Sequence, residues 1–246
     1  MLQPFLRLLA ENWEIPVATL ADAVLFVAGD KRALRFALSQ SGEQAIRKWA
    51  ESQNFFVVSR LAATRKVVEG WNLLEPLGLE VQMCGKISYS YVVVVAREAE
   101  LAKELCECEI NGCPKRAGEL LDYPKCCVEN YSGPNYRPEN WISLALDACN
   151  NKLPLCWCNR LPLMWQAPTF VGEIFPCSFR CEHLAARGRR TYELLLSMGL
   201  DDLAKRTLSE ALRPVTFRPD RAHPQNSAKY PTDNAQNLPD FIEFSA

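Results

Sequence analysis

A chain of 246 residues with 48% apolar content is long enough for one large core or two modest domains, and it needs no covalent staples to fold. Its 28 basic and 29 acidic side chains nearly cancel, so no overall field selects nucleic acid, an anionic membrane or a cationic partner. The 11 cysteines are an odd count, which speaks against a complete secreted-type disulfide scaffold and for metal ligation, catalysis or burial as small hydrophobes.

The opening stretch MLQPFLRLLAENWEIPVATLADAVLFVAGDKR is apolar but broken by Glu11, Glu14 and Asp22. No basic leader or small-residue cleavage site frames it, so no signal peptide is expected, and no run approaches the ~18 uninterrupted apolar residues of a membrane helix. A soluble cytoplasmic protein follows as the expectation. Residues 15–40 read as one or two helices broken near Gly29, with KRALRFALSQS carrying apolar residues at helical spacing. From there the pattern runs helix (41–53), strand (54–60), helix (62–78), strand (79–85), strand (89–97) and helix (98–107), with aromatic and β-branched clusters marking the strands. Residues 182–213 form the longest helical stretch, interrupted near Gly199, and from Pro214 the composition turns polar and Pro/Asn/Asp-rich, as in an extended or disordered tail. The fold class expected is α+β: a small α/β domain with its leading helices over 1–104, a mainly helical cysteine-rich domain over 105–213, and a tail over 214–246.

All cysteines but Cys84 lie between Cys106 and Cys181. Within LLDYPKCCVENY, Pro124 suits the first turn of a helix and Asp122 suits its cap. Cys126 and Cys127 then fall where unpaired amides and the positive end of the dipole favour thiolate. In FPCSFRCEH, Pro176 leads Cys177, and Cys181 follows at i+4, so a helix would put both thiols on one face. Two such turns can converge on one centre. Adjacent helical residues diverge by about 100°, which suits a sulfide-bridged iron cluster, although the spacings match neither ferredoxin run. A closed zinc site of four cysteines and a set of inert buried thiols are the competing readings. CECEINGC (Cys106, Cys108, Cys113) and CWC (Cys156, Cys158) are candidates for further ligands; a helix would turn the two thiols of C-x-C about 200° apart, so ligation there needs a loop. Isolated Cys84 and Cys149 read as packing residues.

The segment GELLDYPKCCVENY resembles the LGYPxCCxxF signature, and FPCSFRCEH the PCSxxC signature, of the DUF483 family of archaeal and bacterial proteins; ADAVLFVAGDKRALRFA resembles its N-terminal region. The resemblance implies a shared site and singles out Tyr123, Pro124, Cys126, Cys127, Pro176, Cys177, Ser178 and Cys181. This chain departs from the pattern at Asp122, where the family has Gly, and at Glu182 and His183 after the last cysteine.

If three cysteines hold a 4Fe-4S cluster, the remaining iron can bind a small-molecule substrate as a Lewis acid, as in a lyase, dehydratase or sulfur-transfer enzyme. Glu129, Glu182, Lys125, Arg180, Tyr123 and His183 are the nearby groups able to orient a carboxylate or move protons. His223 lies in the polar tail. Two other expectations compete: a non-catalytic module stabilised by zinc, and an RNA-binding or RNA-modifying protein using the basic run Arg187–Arg190. The radical-SAM spacing C-x₃-C-x₂-C and G-x-S-x-G do not occur, and the cysteine half has no phosphate-binding G-x-x-x-x-G-K-[ST] loop.

Overall fold

The computed structural model describes residues 2–11, 19–65, 88–134, 157–158, 169–211, 216–217 and 242–243. The fold is α+β, and the chain divides into two compact units, one of Met1–Ile15 with Arg32–Asp122, the other of Pro16–Lys31 with Tyr123–Ala246. The sequence boundary at 104 falls inside a helix, Ala99–Ile110.

The first unit is built from α1 (Leu2–Glu11), β1 (Ala33–Leu38), α3 (Gln40–Ser52), β2 (Phe56–Arg65), β3 (Ser88–Ala96), α4 (Ala99–Ile110) and α5 (Pro114–Leu120). Its sheet has the order β1-β3-β2, antiparallel throughout, with Leu38 and Leu61 both opposite Tyr91 and Ala33 and Phe56 both opposite Ala96. The central position belongs to β3 because Val92–Val95 are all buried, and four consecutive apolar residues are satisfied only in a strand covered on both faces. On one face Phe5 packs against Trp49 and Phe36, with ring centroids 4.8 and 6.4 Å apart. From the other face Arg35 reaches Glu109 of α4 at 3.0 Å. Ser39 caps α3, accepting from the Gly42 amide, and Ile46, Trp49 and Ala50 give that helix its buried stripe.

Two expectations are corrected here. KRALRFALSQS does not continue a helix: Ala33–Leu38 is strand β1, its Leu34, Phe36 and Leu38 buried at every second position. Its apolar residues satisfy both periods, and pairing with the valine strand decides between them. The helix expected over 62–78 is also wrong at its start, because β2 runs on to Arg65, paired with Ser88 after an irregularity between Ala62 and Arg65. The rest of that helix, and the strand expected over 79–85, lie outside the described residues.

The second unit contains α2 (Thr19–Ala28), α6 (Lys125–Ser132), α7 (Glu182–Ser197) and α8 (Asp201–Ala211), with a short antiparallel pair of β4 (Thr216–Phe217) and β5 (Ile242–Glu243). α2 ends at Gly29 and the α7–α8 turn at Gly199, both with positive φ, as the sequence suggested. α2 packs on α7, and α7 on α8. Among the described residues no helix is long and apolar enough to cross a membrane.

Candidate metal centre

The approach to the first cysteine pair turns at Asp122, whose φ of 57° lies in the left-handed region that glycine favours. That explains why Gly suits this position in the resembling motif. Here Asp is tolerated, and its carboxylate is used: it accepts from the Arg32 amide and Nε, both at 2.9 Å, and pairs with Arg32 Nη2 at 2.8 Å. Asp122 therefore does not cap α6, as the sequence had suggested; the N-cap is Pro124, which makes no side-chain capping bond. Because the ion pair is partly exposed, Asp122→Gly is expected to stay within about 1 kcal/mol of the parent, the pair's loss being offset by relief at φ > 0. Asp122→Val loses the same pair and adds about 1–2 kcal/mol of left-handed strain, so urea denaturation should rank Val well below Gly.

Cys126 and Cys127 occupy the first turn of α6, where the Cys127 amide bonds the Pro124 carbonyl at 2.9 Å. The second pair is not helical. Cys177 lies in a loop and Cys181 is the N-cap of α7, which begins only at Glu182. Ser178 makes the turn between them: its Oγ accepts from the Arg180 amide and its carbonyl from the Cys181 amide, each at 3.0 Å. The i+4 helix expected for these thiols is thus replaced by a serine-pinned turn, which brings them together without needing a common helical face.

The four Sγ atoms all lie within 4.8 Å of one another, with Cys126 and Cys127 at 3.5 and 3.8 Å from Cys181. Cys127 and Cys181 are buried, Cys126 and Cys177 half-buried. Burial, with the neighbouring sulfurs adding to it, pushes the Cys127 thiol far up and the Cys177 thiol up to about 12. Cys181 moves the other way. Burial raises it too, but the Leu184 amide at the start of α7 and the converging Cys126, Cys177 and Cys127 thiols outweigh that, so its sulfur is the one held below the ordinary thiol range. Among the described residues this is the one group of three or more Cys, His, Asp or Glu side chains close enough to hold a metal ion, and its chemistry fits a thiophilic metal.

The other described cysteines are not members of this group. Cys158 is buried and donates to the Cys181 carbonyl at 3.4 Å, supporting the ligand turn through its backbone. Cys106 and Cys108 are on helix α4 and Cys113 is the exposed N-cap of α5, all in the first unit. Cys84, Cys149, Cys156 and His223 lie outside the described residues. Of the proposed acid–base groups, Lys125 and Glu129 face solvent and pair with each other at 3.8 Å. Arg180, Glu182 and His183 are exposed.

Tyr123 is placed differently, beside a buried charge cluster that sequence reasoning missed. The Lys31 ammonium lies 4.4 Å from its ring centre and the Arg187 guanidinium 6.0 Å. Both cations converge on Asp22, Lys31 at 3.2 Å and Arg187 at 2.9 Å, and all three side chains are at most 10% exposed. The legible signal was Asp22 as the single acid in the apolar run TLADAVLFVA. Arg187 is thereby turned inward, and Arg190 pairs with Asp30 at 2.6 Å, which divides the basic run between two acidic partners. Gly172 closes this cluster: its φ is +67°, and a Cβ there would come within 2.4 Å of Asp22 Oδ2. Gly172→Ala must therefore displace the buried carboxylate, and thermal unfolding is expected to show a loss beyond the about 1–2 kcal/mol of left-handed strain alone.

No curated protein and no solved structure matches the chain. A family model described as "Protein of unknown function (DUF483)" matches residues 79–196, a span that holds both cysteine pairs, Tyr123 and Arg187 and leaves out Ala21–Ala37. With both cysteine motifs inside that match, residues 79–196 of this chain are similar to the DUF483 family.

Proposed function

We propose that Cys126, Cys127, Cys177 and Cys181 hold one tetrahedral zinc ion, and that the ion stabilises the second unit as a binding module. One observation carries the reading: the four sulfurs lie within 4.8 Å of one another. A tetrahedron with metal–sulfur bonds of about 2.3 Å has edges of about 3.8 Å, and the Cys181 sulfur lies 3.5 and 3.8 Å from those of Cys126 and Cys127. A cubane cluster attaches each thiolate to a different iron and spreads the four sulfurs further apart. The feared divergence of adjacent Cys126 and Cys127 is absorbed because Cys181 approaches both. Four thiolates also fill a tetrahedral ion, whereas catalytic zinc keeps a position for water or substrate.

The iron–sulfur enzyme suggested by the motifs requires the sulfurs to open outward, with Lys125, Glu129, Tyr123, Arg180 and His183 as its candidate proton-transfer and substrate-orienting groups. The two readings separate in one experiment: anaerobic purification with zinc, iron and sulfide quantification and an absorption spectrum. One zinc per chain in colourless protein, lost in Cys127→Ala and Cys181→Ala, is the expected result. Brown protein with iron and matching sulfide would overturn the zinc reading in favour of the cluster, and a metal-free chain would overturn both.

A further inference from the structure

A second feature lies wholly in the first unit. A cavity of about 360 Å³ is lined by Arg60, Lys103, Glu107, Cys106, Val57 and Val58, with Arg47 and Ser59 completing its wall. Its size is at the small end of ligand pockets, about 300–1,000 Å³. Its placement follows from the sheet. β2 is an edge strand of the described sheet, so the cavity runs beside consecutive residues 57–60 and reaches side chains of both α3 and α4.

The polar groups differ in how committed they are. Arg47 is held by Glu43 at 2.6 Å and by Ser59 at 2.8 Å, which fixes one wall. Lys103 bonds Glu100 at 2.7 Å, an exposed pair of small net strength that a bound anion can displace. Arg60 and Glu107 have opposite charges and line the same cavity, yet among the described residues they form no salt bridge with each other. A purely anionic ligand would gain Arg60 and Lys103 but meet Glu107. A ligand with a carboxylate and an ammonium satisfies both signs, and Val57, Val58 and the buried Cys106 thiol offer its remainder an apolar surface.

We propose that this cavity binds a small zwitterion, a free α-amino acid with an apolar side chain, its carboxylate on Arg60 and Lys103 and its ammonium on Glu107. The test is calorimetric titration of the full chain with L-leucine, L-methionine and L-phenylalanine, together with 4-methylpentanoate, which is leucine without its ammonium. At least one amino acid is expected to bind saturably at millimolar concentrations and more tightly than 4-methylpentanoate. Arg60→Gln should weaken it by about tenfold or more, as the loss of a charge-assisted hydrogen bond requires. Glu107→Gln should weaken the amino acid while tightening 4-methylpentanoate, whose carboxylate no longer meets a like charge. Arg60 and Glu107 are exposed, and unchanged circular dichroism certifies the variants. Absence of saturable binding by all three amino acids, wild-type affinity in Arg60→Gln, or equal affinity for 4-methylpentanoate would each overturn the proposal.

Discussion

Stripping the metal from the four-cysteine centre is expected to unfold the second unit around α6 and α7 while leaving the β1-β3-β2 sheet folded. The magnitudes decide this. Structural zinc contributes an apparent binding free energy of about 10–16 kcal/mol in small zinc-dependent folds, while a whole domain is stable by only about 5–15 kcal/mol. The two cysteine segments are a short helix and a five-residue turn, and the proposed zinc would tie one to the other across 50 residues of sequence. Without the ion, Cys127 and Cys177, whose thiols burial pushes up, must be packed as protonated sulfurs. Hydrogen exchange with a strong chelator at neutral pH reads the effect locally: amides of α6 and of the first turns of α7 should lose protection, and those of β3 should keep it. Cys181→Ala should reproduce the pattern without chelator, because its sulfur approaches two of the others within 3.8 Å. Full protection of α6 and α7 after proven metal loss would show that the ion does not organise this unit.

Replacing Asp22 is the second large effect expected. The Asp22 carboxylate is shared by the Lys31 ammonium and the Arg187 guanidinium, and Lys31 is 1% exposed. Removing the anion from a buried pair typically costs about 3–5 kcal/mol, because it leaves buried positive charge uncompensated. Asp22→Asn should therefore lower the denaturation midpoint sharply, and Lys31→Met in the same chain should restore part of the loss by removing one of the stranded cations. If the double variant is no more stable than Asp22→Asn, stranded charge is not the cause.

The same cluster predicts a pH dependence. Burial, the largest single influence, pushes the Asp22 carboxyl up, but the attraction and hydrogen bonds of Lys31 and Arg187 together outweigh it, and the net displacement is downward. A carboxyl depressed by folding stabilises the native state above its unfolded value, about 3.9, and loses that contribution as pH falls through the lower folded value. The stability gap between wild type and Asp22→Asn should hold at neutral pH and narrow only in strong acid. A gap that closed near neutrality would contradict the ion-pair account.

Local chemistry was legible without coordinates wherever neighbours in sequence are also neighbours in space. Helices α3 and α4 and the valine strand β3 declare their periods within a dozen residues, and Pro124, Cys126 and Cys127 declare a helix start bearing thiols. The four thiols that converge were singled out by the same local signals, because thiol type and spacing are sequence properties.

How the four thiols meet was decided only by the fold. The separation of sulfurs from Cys126 and Cys127 to Cys181 depends on a turn held by Ser178, not on the i+4 spacing that suggested a helix. The residues ALRFAL fit either period until β3 offers them a ladder of backbone partners. Asp122 and Asp22 make the point most sharply, since each is an ordinary acid in sequence whose role was set by distant cations, Arg32 for one and Lys31 with Arg187 for the other. Sequence determined which groups were available for metal and charge, because composition and backbone preference act locally. Tertiary structure determined which of them meet, because burial and electrostatic pairing depend on distances that sequence separation does not encode.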